Sequence, residues 1–105
     1  MVNKVILVGN LGSDPELKYT GSGTAVASFN VATSEKWKGQ DGEMQEKTEW
    51  HKIIVWKKMA ETCNEHLKKG SKVYIEGKIQ NRKYQNNDGN DVNITEIVAQ
   101  SVKFL

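Results

Sequence analysis

A chain of 105 residues has the length of one domain. It can bury roughly two thirds of its unfolded surface, enough for a modest core but not for a large multidomain enzyme. At 37% hydrophobic and 27% charged residues it reads as globular rather than disordered, and without an apolar run of ~18 residues no helix should span a membrane. The single Cys63 excludes an intramolecular disulfide and fits a reducing compartment, and the net charge of +2 does not by itself point to a nucleic-acid partner.

The opening run Val2 to Val8 is β-branched, lacks the pattern of a signal peptide and stops at Gly9-Asn10, which predicts a strand. Val2, Ile6 and Val8 fall on one face and Val5 and Leu7 on the other, so both faces are apolar and the second needs a cover. Gly12 to Glu16 has loop chemistry around Pro15, Lys18-Tyr19 is a short extended piece, and Gly21-Ser22-Gly23 is a turn. Ala25 to Ser34 alternates, with Ala27, Phe29 and Val31 on the inner side. Lys36 to Glu46 is expected to be a polar loop, with a hairpin signal at Asp41-Gly42.

Thr48 to Trp56 is the third long strand. His51, Ile53 and Val55 face one way; Trp50, Lys52, Ile54 and Trp56 face the other. A helix is predicted over Met59 to Leu67, with Lys68 and Lys69 in its last turn and Gly70 as its stop. Lys72 to Arg82 should form a fourth strand with Val73, Ile75 and Ile79 inward and a bend at Gly77. A polar loop over Gln85 to Asp91 then leads to an interrupted fifth strand, Val92 to Phe104.

Three strands, one helix and two strands give an all-β chain with one short helix, a single domain over residues 1–105. That order matches the plan of the OB-fold, a five-stranded Greek-key barrel whose strand 2–3 face and adjoining loops commonly bind single-stranded nucleic acid or oligosaccharide. The helix position disfavours an SH3-like barrel.

Catalytic chemistry is poorly supplied. Cys63 and His66 lie three apart on the predicted helix, but two ligands do not make a structural zinc site, so no metal and no cofactor is expected. No Walker motif or dinucleotide fingerprint is present, and no nucleophile has a base and an oxyanion site around it. The informative residues are aromatic. Trp50 and Trp56 flank Lys52 on one strand face, Trp37 sits between Lys36 and Lys38, and Tyr84 follows Arg82-Lys83. From Lys68 to Tyr84 six bases face one acid, a local positive field. Flat rings beside cations are the layout for single strands, since bases stack on the rings and ammonium groups track phosphates. Two other readings fit the same alternation: indoles that close an outer core or oligomer contact, and an aromatic face that binds protein.

The run Asn3-Lys4-Val5-Ile6-Leu7-Val8-Gly9-Asn10-Leu11-Gly12, followed by Asp14-Pro15-Glu16, resembles the opening of the bacterial single-stranded DNA-binding protein family. Ala32-Thr33-Ser34-Glu35 before Trp37, Thr48-Glu49-Trp50-His51 and the run from Leu67 to Gly77 carry the same resemblance, which covers nearly the whole chain. It implies a non-catalytic homotetramer of OB-folds that binds single-stranded DNA in replication, recombination and repair, in the bacterial cytoplasm at the nucleoid. By position, Trp37, Trp50, Trp56 and Tyr84 match the family's base-stacking rings, the third often phenylalanine there and the fourth often tryptophan. Lys4, Lys52, Lys58, Lys69, Arg82 and Lys83 match or neighbour cations that meet phosphates, and Arg82 is the sole arginine. His51 and Tyr74 match subunit contacts, and a contact there would also cover the apolar run holding Val2, Val5 and Ile6. The family usually continues past the barrel into a flexible tail with an acidic tip. Replication and repair proteins are expected as partners only where such a tail follows Leu105.

Overall fold

The computed structural model describes residues 1–105. Its elements run β1 (Val5–Leu11), β2 (Glu16–Tyr19), β3 (Ala25–Lys38), β4 (Met44–Trp56), α1 (Lys58–His66), β5 (Lys72–Gln85) and β6 (Asp91–Phe104). One sheet has the order β1-β5-β6-β4-β3-β2, and a further β1–β3 pairing closes five of the strands into a barrel. All neighbours pair antiparallel except β4 and β6, which run parallel. This is the OB-fold that the strand order predicts. The short extended piece at Lys18-Tyr19 is part of β2, an edge strand laid on β3 outside the ring.

The period of two places the core. Ala27, Phe29 and Val31 of β3, Ile53 and Val55 of β4, and Val73 and Ile75 of β5 are buried together with Leu11 and Ile97. From the helix, Ala60, Cys63 and Leu67 enter the same cluster. Burial pushes the Cys63 thiol up to about 11, so it is neither a thiolate nor a nucleophile at neutral pH.

Three expectations change. The long hairpins keep pairing through segments expected to be loops, leaving only residues 39–43 and 86–90 as turns. Polar composition does not end a strand when each backbone group still has a ladder partner. The two Asp-Gly pairs do mark the turns: Gly42 and Gly89 have φ of 81° and 82°, where a side chain would be strained. Second, the helix ends at His66, so Lys68 and Lys69 lie beyond it, and Gly70 (φ 92°) shapes the following turn instead of stopping the helix. Third, Ile79 keeps the inward row but lies past the barrel's end and is 48% exposed. At Gly77 the β5–β6 register shifts, with Gln100 of β6 as the extra, unpaired residue.

Lys57, just before the helix, has φ 64° and ψ −141°, a region that is comfortable almost only for glycine. Lys57→Gly should raise stability by about 1 kcal/mol, read as a higher Tm in a thermal melt. An unchanged or lower Tm would show that the position is not strained.

Candidate nucleic-acid interface

The outward row of β4 holds Trp50, Lys52, Ile54 and Trp56, opposite Ala32, Asn30, Ser28 and Val26 of β3. Those small or polar partners leave the indoles standing clear, and Trp50 and Trp56 are 61% and 42% exposed. At ~3.3 Å per residue the two rings are roughly 20 Å apart along the strand. Neither indole closes an inner core. Ile54, between them, is 8% exposed and forms an apolar floor on the barrel's outer wall.

Trp50 is braced from below. A Cβ on Gly12 would overlap Cζ3 of its ring and come within 2.9 Å of Cη2 and 3.2 Å of Cε3. The indole therefore lies on the bare backbone of Gly12, with its other side open. That backbone is tied down: the Gly12 amide donates to the Asn30 carbonyl at 2.9 Å, and Asp14 Oδ1 accepts the Lys69 amide at 2.8 Å. Gly12 was not among the residues the sequence marked for the site, since nothing local links it to position 50.

Tyr84 lies in the outward row of β5, beyond Gln80 and Arg82, and is 44% exposed. Trp37 is 46% exposed but stands in the other row of its hairpin, paired with Gln45 and in line with Thr33 and Glu35. Because β3 continues unbroken through Lys38, alternation turns Trp37 away from the Trp50 row, so the four rings do not share a single flat face. Lys83 alternates away from Tyr84 in the same manner, opposite Asn93.

The cations divide into two groups. Lys52, Lys58, Lys69 and Lys83 form no ion pair. Lys4 Nζ lies 3.4 Å from Glu76, and Arg82 Nε lies 3.1 Å from Glu96 Oε1. Arg82, which the resemblance places among or beside the phosphate-contacting cations, is thus already paired with an acid, its side chain 49% exposed. Glu96 was missed altogether; its only trace in the sequence is an acid in the alternating row Ile94-x-Glu96-x-Val98.

The proposed subunit contacts fall in different places. Ile6 (56% exposed) and Val8 (48%) point outward, paired with Glu76 and Tyr74 of β5. Val5 turns inward against the core, so Val8 occupies the outward position instead. Val2 precedes β1 and is exposed. Tyr74 donates to Glu76 Oε1 at 3.0 Å and lies beneath the Lys103 ammonium. That hydroxyl, and then Lys4, hold the Glu76 carboxyl below its ordinary range; the same bond raises the Tyr74 phenol. His51, half-buried on β4 with its Nε2 2.8 Å from Thr33 Oγ1, lies apart from Tyr74 but lines one cavity with Val5 and Leu7.

The model of the Single-strand binding protein family matches residues 2–105. The chain belongs to that family. It is 51% identical over 104 residues to single-stranded DNA-binding proteins of Neisseria meningitidis serogroup A and serogroup B, covering 99% of this chain and 60% of each relative. The chain thus spans about 60% of the length of these relatives. A solved structure of a Plasmodium falciparum SSB in complex with ssDNA superposes with a TM-score of 0.90 at 33% identity, covering 100% of this chain and 96% of that one. Members of the family are DNA-binding rather than catalytic proteins.

Proposed function

We propose that this member of the single-strand binding protein family binds and protects single-stranded DNA with little regard to sequence. Bases stack on Trp50, Trp56 and Tyr84, with Trp37 engaging the strand from the hairpin arm. Lys52, Lys58, Lys69 and Lys83 meet phosphates, while Lys4 and Arg82, which already have acid partners, add less. The observation that carries this is the exposure of all four rings, 42–61%, on a barrel whose core is already filled by aliphatic side chains and Phe29. Exposed indoles on a wall with unpaired ammonium groups suit a flat, anionic ligand that covers them.

Homotetramer formation through the outer wall of β1 is part of this reading, supported by the exposed Ile6 and Val8 beside Tyr74. Roles in replication, recombination and repair belong to the same reading, with replication and repair proteins as partners only where an acidic tail follows the barrel.

Titration with oligo-dT should quench the tryptophan fluorescence. Each phosphate neutralised on a single strand contributes about −0.7 to the slope of log affinity against log salt, so four free lysines predict a slope of about −3. Raising salt from about 50 to about 200 mM should then weaken binding about 50-fold. No quenching in low salt would remove the proposal, and a mass measurement of the free protein tests the tetramer.

A further inference from the structure

Glu96 is the one charged residue in the buried set, 3% exposed, and it lies on the outer wall rather than in the core cluster. Its carboxylate accepts from Arg82 Nε at 3.1 Å and Nη2 at 3.5 Å, and from Gln80 Nε2 at 3.1 Å. The three side chains line a cleft of about 300 Å³ whose other walls are Val26, Ile54 and Trp56. Arg82 is the one cation within ion-pair distance of Glu96.

A buried carboxylate is a poor device for stability, because an apolar residue in its place would pack on Ile54 without a desolvation cost. Its effect on the binding face is plainer. Beside a ring proposed to stack bases, the only arginine of the chain is held by an acid that leaves no net charge. We propose that Glu96 limits the strength of DNA binding by holding Arg82 as a neutral pair, so that Arg82 serves as a flat hydrogen-bonding wall next to Trp56 and not as a counter-charge to phosphate. This rests on the proposed binding of single-stranded DNA and assigns a restraining residue within that site.

The test is the salt dependence of oligo-dT binding by the intact chain, its Glu96→Gln variant and the Arg82→Gln/Glu96→Gln double variant, each checked by thermal melting. Glu96→Gln keeps the shape of the side chain and frees one cation. Its slope should steepen by about 0.7, so the ratio of affinities at about 50 and about 200 mM salt grows about 2.6-fold. The double variant should keep the parent slope, and it carries the test by itself if the single variant fails to fold. A slope unchanged in Glu96→Gln, or a double variant shallower than the parent by about 0.7, would overturn the proposal, the latter because it shows Arg82 already neutralising a phosphate. A parent chain that does not bind oligo-dT would be a different result and would refute DNA binding itself.

Discussion

Replacing Trp50 and Trp56 together with alanine should weaken binding of a labelled oligo-dT by at least about 30-fold in an anisotropy titration. Stacking is worth about 1–3 kcal/mol per base, so two rings account for about 2–6 kcal/mol, or about 30-fold to 10⁴-fold. The rings are roughly 20 Å apart with no shared partner, so the losses from the two single variants should multiply. Trp50 should lose the most per ring, because the Gly12 backbone holds its indole in place before any base arrives. Both rings are largely outside the core, so the Tm should fall only slightly. Affinity equal to the parent's in the double variant would mean that the indoles do not carry the strand.

The second large effect is on the barrel itself. Gly9→Ala should destabilise the fold by about 3 kcal/mol and lower the Tm by roughly 12–24 °C in a thermal melt. Gly9 lies where β1 leaves β5 and crosses onto β3, at the seam that pairs Asn10 with Ala32 and Leu11 with Val31. A Cβ there would overlap the carbonyl oxygen of Ala32 and come within 2.8 Å of Val31 Cγ1. The first is backbone already committed to the closing seam, and the second belongs to a fully buried core residue, so neither can yield cheaply. Gly21→Ala is the control, since a Cβ at Gly21 meets nothing within 4 Å. Equal melting of the Gly9 and Gly21 variants would show that the seam is not tight.

Much of the molecule could be read residue by residue. Alternation named the inward residues of β3, β4 and the first half of β5, and the two Asp-Gly pairs marked both long turns. The i, i+4, i+8 row of Met59, Cys63 and Leu67 gave the helix, and its two later members are buried in the core. These are properties of a few adjacent residues, set by the twofold repeat of a strand, the 3.6-fold repeat of a helix and the φ that a turn demands. The aromatic–cation composition pointed to a nucleic-acid surface in the same local way.

What composition and spacing alone could not place were encounters between distant parts of the chain. Trp37 turns from the Trp50 row because pairing continues through a segment that looked like a loop. Gly12 supports Trp50 from 38 positions away. Arg82 loses its free charge to Glu96, and both meet Trp56, because β5 pairs with β6 and β6 with β4.

The sequence by itself determined the barrel's elements, its inner rows and the chemistry available on its surface. Only the tertiary structure decided which outward side chains became neighbours, and therefore which cations stay free to meet a phosphate. The reason is that side-chain periodicity is a property of one strand, whereas register is a property of two, and the pairing that sets it spans dozens of residues.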